Sequence, residues 1–266
     1  MGKVGLVAGS GTLPLEFVQS AKKEGDKVVV FALKGMAAAE IEDLADRTYW
    51  ITAGQYKKFA FLLLKEMIRH LAFIGKVRKE VIYDDEALDD YTSKGLKDLK
   101  DKKDTSIFKE ITKRLNMMGV EVIEATRYLS HMLPERGVLS RKTPDAELEA
   151  DISFGYETAK KMAGMDIGQT VVVKGRSVVA VEAMEGTNAT ISRAKEIAGE
   201  GCVMVKVGRP DQDMRWDVPV VGPDTIAKLA ENGFSALAIE SGKMFLVEKE
   251  RTLKMADDAD IAVKVV

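Results

Sequence analysis

The N-terminal half of the chain alternates between short apolar runs and amphipathic stretches. Apolar runs of strand length fall at residues 3–8, 27–33, 47–51, 72–75 and 120–123. Segments with helical spacing separate them, at 15–23, 37–45 and 56–69, and the highly charged stretch 78–114 is also helical in pattern. Strands that alternate with helices at such short intervals are typical of parallel βαβ units. The pattern therefore predicts a Rossmann-like parallel domain over residues 1–135.

The second half has a different order of elements. Periodicity fades between 127 and 145, where two prolines and a glycine mark a boundary. Beyond it, 146–164 and 188–197 read as helices, 202–207 reads as a strand, and Pro223 is well placed to start another helix. Two hairpins are predicted, one turning at Gly175-Arg176 and one joining 235–240 to 243–247. These elements predict a mixed α/β domain over 140–266, so the fold class is α/β with two domains.

Composition narrows the possible functions. The formal net charge of the 266 residues is −2, which gives no global field to attract nucleic acid. No apolar run reaches the ~20 residues of a membrane span, and the N-terminus enters a strand at once rather than a signal peptide. Cys202, the single cysteine, lies in an apolar run and is expected to be buried, as in a reducing cytoplasm. We therefore expect a cytoplasmic protein with at most weak, peripheral contact with a membrane.

The metal chemistry open to the chain is also limited. The two histidines, His70 and His131, have no metal-ligand spacing, so a zinc site is not expected. Any metal would have oxygen ligands, which Mg²⁺ and Mn²⁺ prefer.

A glycine turn follows the first strand. Gly9, Ser10, Gly11 and Thr12 lie between that strand and a predicted helix, a position at which backbone amides can bind phosphate. Pro14 stands where the dinucleotide fingerprint requires a third glycine, so an NAD or FAD site is disfavoured. The turn can equally serve only to reverse the chain, and we treat its four residues as candidate substrate contacts.

The segment 206–219 concentrates charges of both signs behind an apolar strand. It holds Lys206, Asp213, Arg215 and Asp217 within twelve residues. Lys206 is expected on the opposite face of its strand from Val203, Val205 and Val207. Carboxylates can hold a divalent cation or activate water, while Lys and Arg neutralise phosphoryl oxygens. An extended loop would place residues 213, 215 and 217 on one face, with Met214 and Trp216 anchoring the other. The competing interpretation is a solvated loop with weak salt bridges.

A second group of carboxylates follows the strand 177–181. Glu182 and Glu185 stand at the tip, and Thr187 or Asn188 is expected to cap the next helix. If this tip and the charged loop share one sheet edge, Glu185 could join Asp213 and Asp217 as a metal ligand. Glu182 and Thr187 are then candidate substrate contacts.

Several motifs together resemble one family. Ala8-Gly-Ser-Gly-Thr-Leu-Pro14, Asp151-Ile-Ser-Phe-Gly155, Asp166-Ile-Gly-Gln-Thr, Val181-Glu-Ala-Met-Glu-Gly-Thr187, Lys206 and Gln212-Asp-Met-Arg-Trp-Asp-Val-Pro219 are similar to the LpxI-type UDP-2,3-diacylglucosamine pyrophosphatases, which lack a calcineurin-like fold. The similarity runs over nearly the whole chain. The family would have Ala-Lys before the proline where this chain has Gly208-Arg209, and 78–114 matches poorly.

The resemblance implies a bacterial enzyme of lipid A biosynthesis. Such an enzyme hydrolyses UDP-2,3-diacylglucosamine to UMP and lipid X with Mg²⁺, as water attacks the α-phosphorus. The resemblance further implies a homodimer, two domains with the glycolipid nucleotide between them, and an essential aspartate that falls on Asp213 or Asp217. Lys206 and Arg215 would stabilise phosphoryl charge. The alternatives are a non-catalytic, nucleotide-responsive regulator and a general nucleotide-sugar phosphohydrolase.

Overall fold

The computed structural model describes residues 2–52, 54–77, 104–216 and 218–266. The chain forms two compact units. The N-terminal unit comprises Met1–Ser130 together with Met214–Trp216, and the C-terminal unit comprises His131–Asp213 and Asp217–Val266. Most of the predicted helical stretch 78–114 lies outside the described residues.

The N-terminal unit is built on a parallel sheet. Its five strands follow the order β3-β2-β1-β4-β5, and every neighbouring pair is parallel. The strands are β1 (Lys3–Ala8), β2 (Lys27–Leu33), β3 (Arg47–Ile51), β4 (His70–Ile74) and β5 (Glu121–Val122). The helices are α1 (Leu13–Lys23), α2 (Ile41–Leu44), α3 (Tyr56–Lys65), α4 (Asp104–Met117) and α5 (Thr126–Leu129). A 3₁₀ turn at Ser130–Met132 spans the boundary between the two units.

The burial of the central strands is typical of a parallel sheet. Six of the seven residues of β2 are buried, as are five of the six in β1, which is expected of strands covered on both faces. Helix α1, predicted at 15–23, buries Phe17, Val18 and Ala21 along one side. The parallel α/β prediction for this half is therefore confirmed.

The C-terminal unit contains a mixed six-stranded sheet and a two-stranded one. The larger sheet has the order β6-β13-β11-β9-β7-β8, and β10 pairs with β12. The strands are β6 (Gly137–Val138), β7 (Thr170–Lys174), β8 (Ser177–Val181), β9 (Val203–Lys206), β10 (Val220–Val221), β11 (Ala236–Ile239), β12 (Phe245–Leu246) and β13 (Ala262–Val265). The helices are α6 (Ala146–Gly164), α7 (Thr187–Ala198), α8 (Pro223–Glu231) and α9 (Lys249–Asp258).

One of the two predicted hairpins exists. Strands β7 and β8 pair antiparallel around Gly175-Arg176, and the buried carboxylate of Asp151 accepts hydrogen bonds from both turn amides, at 2.9 Å from Gly175 N. Gly155, on the same helix, lies so close to β9 that a Cβ would sit 2.6 Å from Val205. Two residues of the Asp151-Ile-Ser-Phe-Gly155 motif thus hold α6 against the sheet.

The prediction of a second hairpin, between 235–240 and 243–247, is wrong. Strand β11 lies between β9 and β13 and is parallel to both, while β12 is parallel to β10. All four residues of β11 are buried, as expected for a central strand of a covered sheet. Its partners come from distant parts of the chain, which local turn signals do not report.

Alternation along β9 sets the direction of Lys206. Val203 and Val205 pack in the core beneath α6, with Ile152 and Ala159. Met204 belongs to the core on the opposite face, with Ile191 and Ile226. Lys206 follows Met204 at a spacing of two and so lies on its side of the sheet, away from the three valines as predicted. No helix in the described part of the chain has the length and apolar character to cross a membrane.

Candidate functional site

Two chain segments named above leave the C-terminal sheet at one edge. Because β7 is antiparallel to both β8 and β9, the carboxyl ends of β8 and β9 point the same way. Thr170, at the start of β7, pairs with Lys206 and accepts the Glu182 amide at 2.9 Å. Glu182 and Lys206 therefore flank Thr170, as the shared-edge hypothesis required.

Lys206 is held in a polar cluster at this edge. Its Nζ donates to Thr187 Oγ1 at 3.0 Å and to Thr170 Oγ1 at 3.3 Å, and it lies 3.8 Å from Glu182 Oε2. Thr187 Oγ1 in turn donates to Glu182 Oε1 at 2.6 Å. Three of the predicted site residues, Lys206, Glu182 and Thr187, thus meet around one mostly buried ammonium group. We call Lys206, Thr170, Glu182 and Thr187 the lysine cluster.

Thr187 has a different role from the predicted one. Gly186, with φ of 81°, occupies the N-cap position of α7, and this left-handed conformation favours glycine. Thr187 is the first residue of the helix, and its hydroxyl is engaged with Glu182 and Lys206. The capping prediction for Thr187 and Asn188 is therefore wrong, and the hydroxyl instead connects a carboxylate to a cation.

Glycine also shapes the tip beside Glu182. A Cβ on Gly168 would lie only 1.9 Å from the Glu182 carbonyl oxygen. The close approach of these two backbones leaves no room for a side chain at position 168, so this glycine fixes the path of the chain into the cluster.

Glu185 is engaged by other groups. Its carboxylate lies 3.0 Å from Arg193 and accepts the Ala183 amide at 3.1 Å. Hydrogen bonds from its own amide and from that of Ala183, with Arg193 nearby, hold the pKa of the Glu185 carboxyl below its ordinary value. These contacts do not support the predicted metal role of Glu185.

The first residues of the charged loop, 208–212, are held by contacts with other parts of the C-terminal unit. The Gly208 amide donates to Glu240 Oε2 at 2.8 Å, Gln212 Nε2 donates to the Lys243 carbonyl at 3.1 Å, and Arg209 lies 3.3 Å from Asp166. Asp213 is exposed further along the loop, and Arg215 is half-buried.

The predicted extended course of this loop is wrong at its centre. Residues 214–216 form a turn, so the alternation that would have placed residues 213, 215 and 217 on one face does not apply. Trp216 packs on the N-terminal core, 4.3 Å from Phe73 and 4.6 Å from Phe108 between ring centroids. Its predicted anchoring role is confirmed, and Asp217 lies outside the described residues.

Glu240 is a residue that the sequence reasoning missed. It follows β11 at the same sheet edge, is buried, and accepts from Lys160 Nζ at 2.9 Å as well as from Gly208. Tyr156 Oη is 3.4 Å from the same carboxylate. A signal was present, because an acidic residue directly after an apolar strand occupies the same kind of position as Lys206.

In the glycine turn of the N-terminal unit, the backbone amides of Gly9 and Ser10 are engaged in hydrogen bonds within the fold. Gly9 N donates to Ile74 O at 2.8 Å, and Ser10 exchanges two backbone hydrogen bonds with Lys76, each of 3.0 Å. A Cβ on Gly9 would lie 2.6 Å from the Lys76 carbonyl. The first two amides are thus committed to joining the ends of β1 and β4. Gly11 and Thr12 are exposed at the start of α1, and ligand binding by the turn stays a prediction.

The described residues offer no set of ligands for a metal ion. Among them no group of three or more His, Cys, Asp or Glu side chains is placed to hold an ion, and Glu185 is engaged as described above. The donor set therefore does not fit a metal within this part of the chain. The predicted use of Mg²⁺ or Mn²⁺ stays a prediction.

The comparisons with known proteins agree across the chain. Residues 3–132 match the family described as the LpxI N-terminal domain, and residues 135–264 match the LpxI C-terminal domain. A curated relative from Caulobacter vibrioides, UDP-2,3-diacylglucosamine pyrophosphatase LpxI, is 30% identical over 277 residues, covering 99% of this chain and 97% of that protein.

Similarity to solved structures is weak. The biotin carboxylase domain of 2-oxoglutarate carboxylase from Hydrogenobacter thermophilus shares 13% identity at a TM-score of 0.27, over 73% of this chain and 41% of that one. The glycinamide-RNase-transformylase T from Mycobacterium tuberculosis shares 15% identity at a TM-score of 0.24, over 68% and 44%. The chain spans less than half of either structure.

Proposed function

The chain belongs to the LpxI family, and on that premise we propose that it hydrolyses UDP-2,3-diacylglucosamine to UMP and 2,3-diacylglucosamine 1-phosphate (lipid X), a step of lipid A biosynthesis. What supports the proposal most directly is the alignment of 99% of the chain with a relative of that name. The lysine cluster supplies the chemistry that such a reaction needs, because a diphosphate bridge is anionic and repels an incoming oxygen nucleophile.

Lys206 is the proposed electrostatic catalyst. In the transition state, negative charge is spread over the phosphoryl oxygens, and a fixed cation lowers the barrier most when it needs no reorganisation. The hydroxyls of Thr187 and Thr170 and the carboxylate of Glu182 restrict the position of the ammonium group. Glu182 also offsets the cost of holding a charge in a mostly buried position. The cluster therefore provides an oriented positive charge.

The bond changes follow from the products. A water oxygen forms a bond to the α-phosphorus, and the bond from that phosphorus to the bridging oxygen breaks. The bridging oxygen leaves with the β-phosphate as the sugar 1-phosphate, while the water proton passes to a carboxylate acting as general base. We propose Asp213 or Asp217 as that base, with Arg215 stabilising phosphoryl charge.

Isotope labelling tests both the reaction and its direction. The purified protein is incubated with UDP-2,3-diacylglucosamine in ¹⁸O water, and the products are separated and weighed by mass spectrometry. Attack at the α-phosphorus places the label in UMP, whereas label in lipid X would contradict the proposed direction. No turnover of this substrate would contradict the proposed function, and equal turnover of unacylated UDP-GlcNAc would favour a general nucleotide-sugar hydrolase.

A further inference from the structure

Helix α3 carries large apolar side chains on the surface of the N-terminal unit. Phe61 is 64% exposed, Leu64 is 61% exposed, and Met67, just beyond the helix, is 76% exposed. The core needs none of them, because the opposite side of the helix buries Phe59 and two other side chains, Leu62 and Leu63. The exposed residues thus require another explanation.

These apolar side chains share their surface with basic ones. At 100° per residue, positions 57, 58, 61, 64 and 65 form one continuous arc of the helix, and all five are exposed. Arg69 is exposed beyond Met67. We call this surface the α3 face, and its members are Lys57, Lys58, Phe61, Leu64, Lys65, Met67 and Arg69.

The exposed charged residues that define the α3 face are all basic. The single acid between residues 57 and 69 is Glu66, which is buried and neutralised by Arg47 at 2.7 Å and Lys3 at 3.6 Å. Lys58 Nζ donates to the Trp50 carbonyl at 3.4 Å, and Lys65 Nζ lies 5.7 Å from the Tyr49 ring centroid. Neither contact cancels an ammonium charge, so exposed apolar groups stand among cations.

We propose that the α3 face docks the protein on an anionic phospholipid bilayer. Apolar side chains can enter the interface between headgroups and acyl chains, while lysine and arginine are attracted to anionic lipid. A second copy of the chain suits the face less well, because self-association would bring two sets of cations together. The inference rests on the proposed function for its purpose, since a diacylated substrate is presented by a membrane, but the docking can be measured independently.

Vesicle sedimentation tests the docking. The full chain is mixed with vesicles of phosphatidylcholine with one quarter phosphatidylglycerol, or of phosphatidylcholine alone. We expect binding to the anionic vesicles that weakens with added salt, because charge at a surface is screened. Lys58→Gln/Lys65→Gln should weaken it about 25-fold, at roughly fivefold for each basic residue. Phe61→Ser/Leu64→Ser should weaken it to a similar degree. The matched control is Met165→Ser/Ile197→Ser, which removes two exposed apolar side chains of the C-terminal unit and should bind as the wild type does.

Several outcomes would overturn the proposal. The wild type could fail to bind anionic vesicles, or it could bind neutral vesicles equally well. The control variant could also lose as much vesicle binding as the α3-face variants do. A dimer that becomes monomeric only in Phe61→Ser/Leu64→Ser, measured by sedimentation equilibrium, would assign the face to a second copy instead. Hydrolysis of substrate in detergent micelles should be unchanged in all variants. If the wild type does not hydrolyse it, the proposed function fails while the vesicle result still decides the docking.

Discussion

The carboxylate of Glu240 accepts the amide hydrogen of Gly208 at 2.8 Å, and so ties the end of β11 to the start of the charged loop. Lys160 from α6 approaches the same carboxylate at 2.9 Å. Three elements of the C-terminal unit thus meet on one buried acid, and the loop that carries Asp213 departs from that point.

Glu240→Gln should therefore lower both stability and turnover. The amide oxygen can still accept from Gly208, but the ion pair with Lys160 is lost, at a cost of about 1–3 kcal/mol. Thermal unfolding followed by circular dichroism measures the first effect and the product assay measures the second. Glu157→Gln on the exposed side of the same helix is the matched control, and equal behaviour of the two variants would contradict a positioning role.

Lys206→Met should abolish most turnover while the fold persists. The substitution keeps an unbranched side chain that is one atom shorter but removes the cation, and loss of one such stabilising group costs about 10²–10³ in kcat. The control is Lys254→Met, which removes an exposed lysine paired with Asp258 on α9. Similar kcat values for the two variants would remove the lysine cluster from the chemistry.

Asp213→Asn and Asp217→Asn test the proposed base. At least one of them should lose about 10²–10⁴ in turnover, the usual contribution of a general acid or base. Asp211→Asn alters an exposed acid of the same loop and should have little effect. Wild-type rates in both of the first two variants would show that the loop provides no base.

Chelation tests the expected requirement for Mg²⁺ or Mn²⁺. Turnover should fall to background in EDTA and return with excess of either ion, while circular dichroism shows that EDTA leaves the fold intact. Full activity in chelator would contradict the expected metal requirement. It would agree with the described residues, among which Glu185 pairs with Arg193 instead of serving a metal.

Tyr128→Phe should change how stability depends on pH. Tyr128 Oη donates to Asp26 at 2.7 Å, and this bond is the main reason that the pKa of the Asp26 carboxyl is lowered. A lowered carboxyl pKa gives stability above pH ~4 that is lost as the pH falls. Burial, with Asp26 nearby, raises the pKa of Tyr128 to about 12, which gives stability that is lost as the pH rises from about 10.

The difference in melting temperature between wild type and Tyr128→Phe should accordingly be largest near neutral pH, where it reflects about 1 kcal/mol. It should shrink below pH ~4 and above pH ~10. A difference that stays constant across this range would mean that the Asp26 bond does not contribute.

Local patterns were sufficient for most of the fold. Helix α6 was predicted at its observed bounds, and the direction of Lys206 followed from simple alternation with the valines of β9. The lysine cluster could also be predicted from the sequence, because strand direction places Glu182 and Lys206 at one edge of the sheet.

What failed depended on partners far away in the chain. The parallel pairing of β11 with β9 and β13 involves no tight turn, so a nearby apolar segment was mistaken for its partner. The turn at 214–216 is accompanied by the packing of Trp216 on Phe73, a contact that no local spacing encodes. Glu240 was missed because its role appears only when α6 and the loop converge on it.

The placement of Trp216 has a practical consequence for spectroscopy. The chain has two tryptophans, Trp50 and Trp216, and both belong to the N-terminal unit. Intrinsic tryptophan emission in a denaturant titration will therefore report the unfolding of the N-terminal unit. It will not report the unfolding of the C-terminal unit, which holds Lys206. Agreement between that emission and the ellipticity of the whole chain would show that the two halves melt together.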